Sequence, residues 1–155
     1  MSLFIYFSHA CPVKIWGRTS QERIELVLKT LAVPCDVQTL STLQQSDSVL
    51  ILRGDYLFDD RLVKSLVSTP DVILTRDGES PDIVVAAHVP GHLALQALSV
   101  IEGNAGTDAL PGMQLKTPAT ISVSYEETLR KFESPFLLPI TVENKQKLER
   151  RLFDW

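Results

Sequence analysis

Val49-Leu50-Ile51-Leu52-Arg53-Gly54-Asp55-Tyr56-Leu57-Phe58-Asp59 is the stretch of sequence that decides the fold. Its first four residues are apolar and lead directly into Gly54 and Asp55, which is typical of a buried parallel strand that ends abruptly. In open α/β sheets, ligands bind at the carboxyl ends of the strands, so Asp55 is a candidate ligand-binding residue. A carboxylate there can hold Mg²⁺ against a nucleotide phosphate. Alternatively, Asp55 caps a helix that begins near Phe58.

The composition is that of one globular domain. The chain has 155 residues, of which 45% are hydrophobic and 22% are charged, and this is enough for a full core. The formal net charge of −4 gives no reason to expect a nucleic-acid partner. Cys11 and Cys35 lack metal-site spacing and indicate a reducing compartment. Because the sequence has neither a long apolar run nor a signal-peptide start, we expect a cytosolic protein.

Strand and helix patterns alternate along most of the chain, which predicts an α/β fold, a three-layer sandwich with a mostly parallel sheet. Strands or extended segments are predicted over residues 3–7, 35–40, 47–52, 71–75, 82–87, 119–123 and 136–140. Helices are predicted from the capping sequence at 19–22 to Pro34, over 58–68, after Pro90, after Ser124 and over 143–153. Asp77-Gly78, between two apolar runs, predicts a hairpin.

The predicted helices carry apolar residues at helical spacing on one face. The side chains expected to face the core are Ile24, Val27, Leu28, Leu31, Leu62, Val63, Leu66, Leu93, Leu95, Ala97, Leu98 and Ile101. Thr19-Ser20-Gln21-Glu22 and Ser124-Tyr125-Glu126-Glu127 have the spacing of capping boxes. In such a box, the first hydroxyl and the last carboxylate each accept a hydrogen bond from the other residue's backbone.

Histidine spacing raises a metal hypothesis that the intervening residues disfavour. His88 and His92 are four residues apart, the spacing of two ligands on one helix face. Pro90 lies between them, so His88 is predicted to end a strand and His92 to lie in the next helix. His9 and Cys11 follow the first strand, but the sequence shows no third residue that would orient a nucleophile. We therefore expect core or loop roles for His9 and Cys11.

Residues 15–60 resemble a shortened nucleotidyltransferase of the GT-A-like type. The resemblance rests on a glycine followed by an arginine and leucines on a helix, and on an apolar strand that ends in Gly-Asp. The matching residues are Gly17, Arg23, Leu26, Leu28, Gly54 and Asp55. The resemblance implies a shortened GT-A/nucleotidyltransferase-like core, a nucleotide site, and an Asp55 that holds Mg²⁺.

The sequence departs from that family after the first strand. Ser8-His9-Ala10-Cys11-Pro12-Val13-Lys14 stands where the family has a glycine-rich phosphate loop. Glycine backbone N–H groups are what bind a triphosphate in such a loop, so only single phosphate contacts from Lys14 or Arg18 are expected. The nucleotide-binding residues that the resemblance implies are Lys14, Gly17, Arg18, Arg23, Gly54 and Asp55.

The C-terminal part resembles a junction in bacterial CDP-alcohol phosphatidyltransferases. It consists of Lys131-Phe132-Glu133-Ser134-Pro135-Phe136-Leu137-Leu138-Pro139-Ile140 followed by Glu149-Arg150-Arg151-Leu152-Phe153-Asp154. In that family, a soluble nucleotidyltransferase-like region precedes a multi-spanning membrane domain. The resemblance implies a nucleotidyltransferase-like domain over 1–140 and a helix over 141–155 that leads toward a membrane domain. It also implies a position on the cytoplasmic side of the inner membrane.

The function implied is that of a cytosolic domain in a phospholipid-synthesising CDP-alcohol phosphatidyltransferase. The family's membrane signature, D-G-x-x-A-R followed by G-x-x-x-D-x-x-x-D, is absent from this sequence. We therefore expect a domain that binds a nucleotide or CDP-alcohol, or regulates, rather than one that catalyses by itself. Two alternatives stay open, a metal-dependent CTP:phosphoalcohol nucleotidyltransferase and a non-catalytic scaffold that forms a homodimer.

We predict that the natural protein continues past Trp155 into several apolar helices. The chain stops directly after a charged helix pattern, without glycine, proline or a polar tail. The sequence of the parent gene beyond this codon tests the prediction. A stop codon directly after Trp155, or a soluble extension, would contradict it.

Overall fold

The computed structural model describes residues 3–9, 11–30, 47–76, 83–106, 109–110, 112–117, 137–141, 143 and 145–154. The strands in this part of the chain are β1 (Leu3–Ser8), β2 (Ser48–Arg53), β3 (Tyr56–Phe58), β4 (Val72–Thr75), β5 (Val84–Pro90), β6 (Gln114–Lys116) and β7 (Leu137–Pro139). The helices are α1 (Ser20–Thr30), α2 (Asp60–Ser68), α3 (Ala94–Ile101) and α4 (Lys145–Asp154), and a 3₁₀ helix (Gly91–Leu93) directly precedes α3.

Five strands form one open sheet in the order β1-β2-β5-β4-β6. β1 is parallel to β2 and β4 is parallel to β6, whereas β5 is antiparallel to both of its neighbours. Four of these five strands therefore run in one direction. The predicted α/β class is confirmed, but the sheet is mixed because the chain reverses between β4 and β5.

The reversal confirms the predicted hairpin between β4 and β5. The two strands pair antiparallel, and beyond them the Arg76 N–H donates a hydrogen bond to the Ile83 carbonyl oxygen at 3.0 Å. The predicted turn at Asp77-Gly78 lies outside the described residues. Strand 35–40, strand 119–123, Leu31 and the helix after Ser124 also lie outside them.

The sheet has an apolar core on each of its faces, because successive side chains of a strand point to opposite sides. In β2, Leu50 and Leu52 pack in the core that includes α1 and α2, whereas Val49 and Ile51 pack in the core that includes α3. All four side chains are fully buried. The described elements therefore form three layers, with α1 and α2 on one face of the sheet and α3 on the other.

The core-facing residues predicted for α1 and α2 are confirmed within the described chain. Buried on these two helices are Ile24, Val27, Leu28, Leu62, Val63 and Leu66. For α3 the prediction is partly wrong, because Leu95 is 54% exposed while Ala94 and Val100 are buried. The α3 sequence is almost entirely apolar, so its pattern does not select one face. The 3₁₀ turn that joins it to β5 sets its orientation instead.

A smaller sheet and core lie beside the main sheet. β3 pairs antiparallel with β7, and Ile15, Leu57, Ile140 and Leu148 form a third buried cluster. Since Leu148 lies on α4, this cluster attaches the predicted C-terminal helix to the rest of the described chain. Within the part of the chain that the structure describes, no helix is long and apolar enough to cross a membrane.

The predicted capping box at the start of α1 is confirmed. The Thr19 N–H donates to Glu22 Oε1 at 2.9 Å, and the Glu22 N–H donates to Thr19 Oγ1 at 3.2 Å. The hydrogen bonds from Thr19 are the main cause that lowers the pKa of Glu22. Local sequence alone therefore fixes where α1 begins.

Helix α2 begins later than predicted. β3 (Tyr56–Phe58) intervenes after β2, and α2 starts at Asp60 rather than near Phe58. The reason is a long-range contact, since β3 exists as a strand by pairing with β7 about eighty residues further along. The local pattern of apolar residues cannot reveal such a partner.

Asp59 is the N-cap of α2. Its carboxylate accepts a hydrogen bond from the Arg61 N–H at 2.9 Å, and its carbonyl accepts from the N–H groups of Leu62 and Val63 at 2.9 and 3.3 Å. The fully buried Asp59 side chain also pairs with the Arg61 guanidinium, with 2.9 Å between Oδ2 and Nη2. The alternative that Asp55 caps this helix is therefore wrong.

His88 holds the other end of α2. It lies inside β5, is 5% exposed, and its Nδ1 is 2.7 Å from the Leu66 carbonyl oxygen, so the Nδ1–H donates. Burial lowers the pKa of His88, while the hydrogen bond to Leu66 and the charge of Asp71 act in the opposite direction. His92 is exposed in the 3₁₀ helix, so the two histidines occupy different elements.

We predict that Asp59→Ala lowers the free energy of unfolding by roughly 2–4 kcal/mol, because it removes both the helix cap and a buried partner of the Arg61 guanidinium. Urea unfolding followed by circular dichroism measures the change. Asp60→Ala, which removes an exposed carboxylate one residue later, is the matched control and is expected to cost less than about 1 kcal/mol. Equal losses in the two variants would contradict the prediction.

We predict that His88 makes the protein less stable as the pH falls below its unfolded-state pKa of about 6.5. In that range the unfolded chain binds a proton that the folded chain, with its lowered pKa, does not bind, so acid favours unfolding. Above pH 6.5 this contribution to stability is fully present. His88→Asn keeps an N–H donor but does not titrate. The unfolding free energy of this variant should therefore fall less than that of the wild-type chain between pH 7.5 and pH 5.5.

His92→Asn is the control for this pH dependence, because it removes an exposed histidine. Urea unfolding of the three proteins at both pH values measures the difference. We expect His92→Asn to keep the pH dependence of the wild-type chain. A His88→Asn variant with the wild-type pH dependence would show that the prediction is wrong.

Candidate functional site

The carboxyl ends of β1 and β2 lie side by side at one edge of the main sheet. β1 ends at Ser8 and β2 at Arg53, and the parallel register pairs these two residues. The Gly54 N–H extends the contact by donating to the Ser8 carbonyl oxygen at 2.7 Å. Because β2 lies between β1 and β5, Asp55 follows an interior strand of the sheet. This edge is where open α/β sheets usually bind ligands.

Arg53 and Asp55 form a two-pronged ion pair at this edge. Nε of Arg53 donates to Oδ1 at 2.9 Å and Nη2 donates to Oδ2 at 2.7 Å. The guanidinium carbon lies 5.1 Å from the centroid of the Tyr56 ring. The hydrogen bonds to Asp55 raise the pKa of Arg53 above its usual value, against the effect of partial burial. The side chains of Arg53 and Asp55 are 19% and 29% exposed, so solvent reaches this neutral pair.

The turn that carries Asp55 is held by three contacts from two other parts of the chain. The Asp55 carbonyl oxygen accepts a hydrogen bond from the Ile140 N–H at 2.8 Å, directly after β7. Tyr56 begins β3 and pairs with Pro139. The Tyr56 carbonyl oxygen accepts a hydrogen bond from Ser20 Oγ at the start of α1. The backbone of the candidate site is therefore fixed before any ligand binds.

Residues 15–18 form a tight hairpin that contacts α4. Ile15 and Arg18 exchange backbone hydrogen bonds of 2.8 and 3.3 Å, and the φ angles of Trp16 and Gly17 are 52° and 81°. Positive φ at both central residues is what a type I′ turn requires, which accounts for Gly17. The Trp16 N–H donates to the Glu149 carboxylate at 2.9 Å, and the indole Nε1 donates to the Glu149 carbonyl at 2.6 Å.

Lys14 and Arg18 are exposed near the start of α1. After the capping hydrogen bonds, the charges of Lys14 and Arg18 also act to lower the pKa of Glu22. Arg23 is half-buried on the same helix. Among the described residues, no hydrogen bond or ion pair joins Lys14, Arg18 or Arg23 to Asp55. Of the six predicted nucleotide-binding residues, the structure thus places two, Gly54 and Asp55, directly in the β2–β3 turn.

Ser8, His9 and Cys11 lie next to this edge. Nδ1 of His9 is 3.0 Å from Ser8 Oγ, and His9 has a positive φ of 52°. Ser8 is buried and His9 is exposed, while Cys11 is a half-buried free thiol that packs near Ile15. In the described chain, no carboxylate is bonded to the His9 ring, so no nucleophile-base-orienter arrangement is formed there.

At the Mg²⁺ site that the resemblance implies, a metal ion would compete with the Arg53 guanidinium for Asp55. Both carboxylate oxygens of Asp55 accept hydrogen bonds from Arg53, so a metal ion would have to displace the guanidinium or share the carboxylate with it. Mg²⁺ prefers six oxygen ligands in octahedral geometry. Across the ranges described above, no three His, Cys, Asp or Glu residues group in a way that could hold a metal. The cation fixed at this edge is Arg53.

Sequence reasoning did not single out Arg53 or Tyr56 as site residues. One local signal could have found the ion pair, because an arginine and an aspartate two residues apart carry opposite charges. Arg53 ends β2 and Asp55 follows it in the turn, and the two side chains pair there. The position of the Tyr56 ring beside Arg53 depends on β3, which only the pairing with β7 creates.

No model of a known protein family matches the sequence, and no curated protein matches it.

Proposed function

We propose that this chain is the cytosolic N-terminal domain of a bacterial CDP-alcohol phosphatidyltransferase, an enzyme of phospholipid head-group synthesis. In this proposal, the domain lies on the cytoplasmic side of the inner membrane and binds CTP or a CDP-alcohol without turning it over. The observation that carries the proposal is the edge where β1 and β2 end together, with the solvent-accessible Arg53 and Asp55 beside it. Such edges are the usual ligand sites of α/β sheets.

The arrangement of the sheet supports the finer assignment, a shortened GT-A/nucleotidyltransferase-like core. The resemblance to that core rests on an apolar strand that ends in Gly-Asp. In the structure this strand, β2, lies between β1 and β5 with its four central residues fully buried, and Gly54 and Asp55 follow it at the edge. The sheet is mixed, with helices on both faces, and is compatible with such a core.

The chain after β1 supports binding without catalysis. Residues 8–14 contain no glycine, so this segment is not the glycine-rich loop whose backbone N–H groups surround a triphosphate. Loss of one such charge-stabilising donor typically costs roughly 3–4 kcal/mol of transition-state stabilisation. Lys14 and Arg18 are exposed and offer single charged contacts to a phosphate. These contacts favour weak binding and do not replace several fixed donors.

The contacts of the segment after β7 support a link between the site and the C-terminal helix. Ile140 donates to Asp55, and α4 receives the Trp16 hairpin through Glu149. In the proposal, α4 leads toward a membrane domain, so these contacts connect the nucleotide-binding edge with that domain. A homodimer of such domains remains a prediction.

The second candidate is a metal-dependent CTP:phosphoalcohol nucleotidyltransferase. The position of Asp55 at the carboxyl end of an interior strand favours it, since a metal-binding aspartate is needed there. The guanidinium on both oxygens of Asp55 and the missing glycine loop argue against it. The first proposal is therefore preferred.

We predict that the 155-residue chain binds CTP or a CDP-alcohol weakly and releases no pyrophosphate from CTP. Calorimetric titration measures the binding. A pyrophosphate-release assay with inositol phosphate or glycerol phosphate, in the presence of Mg²⁺, measures turnover. The expected result is a calorimetric binding signal together with a rate of pyrophosphate release no higher than that measured without the protein.

Two variants make this experiment decisive. Asp55→Ala removes the carboxylate at the edge, and Asp60→Ala removes an exposed carboxylate on α2 as its control. Turnover that disappears in Asp55→Ala and persists in Asp60→Ala would contradict the proposal and establish the nucleotidyltransferase. Absence of both binding and turnover would also contradict it and would favour a scaffold.

A further inference from the structure

We infer that Arg53 is the phosphate-binding residue of the candidate site and that it binds without a metal ion. The inference rests on the proposed function, because it names the group that holds the phosphates of the proposed nucleotide. In this arrangement, Asp55 is a positioning residue for Arg53 rather than a metal ligand.

Arg53 has hydrogen-bond donors left for a ligand. A guanidinium carries five N–H donors. Asp55 accepts one from Nε and one from Nη2, and no other described residue forms a hydrogen bond with this side chain. The remaining donors lie on the part of the guanidinium that faces away from the carboxylate. A phosphate can accept two parallel hydrogen bonds from such a pair of donors.

The guanidinium is held in place before a ligand arrives. Two hydrogen bonds to Asp55 fix its plane, and the Tyr56 ring lies 5.1 Å from its carbon. A free arginine side chain would lose rotamer freedom when it binds a ligand, whereas a fixed one has already lost it. The backbone directly after Arg53 is also fixed, because the Gly54 N–H donates to Ser8 and the Asp55 carbonyl accepts from Ile140.

The charges at this edge favour the binding of a phosphate with modest affinity. Arg53 is permanently positive because a guanidinium has a very high pKa, and the hydrogen bonds to Asp55 raise that pKa further. Its side chain is 19% exposed, so a ligand can reach a charge that solvent screens only in part. Asp55 repels an anion, but it occupies only the edge of the guanidinium formed by Nε and Nη2, which leaves the donors of Nη1 and the second hydrogen of Nη2. The balance of the two charges is the physical reason to expect weak rather than tight binding.

The test is a titration with inorganic pyrophosphate and with CTP, each in EDTA and in Mg²⁺, followed by ³¹P NMR and calorimetry. The variants are Arg53→Gln, Arg53→Lys and Asp55→Asn. Lys29→Gln removes one exposed positive charge from α1 and is the control for net charge. Circular dichroism and urea unfolding show that each variant is folded, and Arg53→Lys serves as the main variant if Arg53→Gln is not.

We expect pyrophosphate and CTP to bind in EDTA. Arg53→Gln should weaken both by at least about tenfold, because a charged donor to phosphate is lost. The affinity of Arg53→Lys should lie between those of the wild type and Arg53→Gln, since lysine keeps the charge but lacks the planar fork of donors. Lys29→Gln should bind as the wild type does. The binding of pyrophosphate and CTP by Asp55→Asn should remain independent of Mg²⁺, which distinguishes a positioning residue from a metal ligand.

Each contrary outcome separates this inference from the proposed function. Binding of CTP that needs Mg²⁺, is lost in Asp55→Asn and survives in Arg53→Gln would overturn the inference and leave the proposed function standing. Binding of pyrophosphate through Arg53, with CTP bound no more tightly, would support the inference and contradict the nucleotide-binding function. If neither ligand binds under any condition, both are overturned.

Discussion

The complete burial of residues 49–52 of β2 is the constraint on which the rest of the structure depends. Val49 and Ile51 fill the core beneath α3, and Leu50 and Leu52 fill the core beneath α1 and α2. Burial of each such side chain contributes about 1.5–3 kcal/mol, so this strand stabilises both helical layers at once. Its backbone groups pair with β1 on one side and β5 on the other. A rigid strand of this kind delivers the turn after it, and therefore Asp55, to a fixed place.

Buried polar groups then position α2 against the sheet. Asp59 caps its first turn and His88 donates a hydrogen bond to a carbonyl of its last turn. Both groups come from outside the helix, and both are nearly or fully buried. A buried polar group is costly unless it is hydrogen-bonded, so each contact specifies one arrangement of α2 rather than merely adding stability. The neutral state of His88 links this arrangement to pH.

The candidate site differs from a metal-based nucleotide site in the way its charges are satisfied. Arg53 and Asp55 neutralise each other, so the edge carries an ion pair that solvent reaches at both members rather than a free carboxylate. The hairpin at Trp16 is hydrogen-bonded to α4. On the other side of the edge, β3 pairs with β7, the strand that precedes α4. A ligand that binds at the edge thus lies within one or two contacts of the C-terminal helix.

Features that depend on neighbours in the chain could be predicted from the sequence. The strands β1, β2 and β4, the capping box of α1, the core faces of α1 and α2 and the hairpin between β4 and β5 all follow from local periodicity and turn chemistry. The position of Asp55 at the end of an interior strand was predictable for the same reason. Tertiary structure decided what depends on distant partners: the place of β5 between β2 and β4, the strand β3 that moves the start of α2, and the face of α3. It also decided that the Tyr56 ring lies beside the Arg53–Asp55 pair, because the position of that ring depends on β3, and β3 is a strand through its pairing with β7.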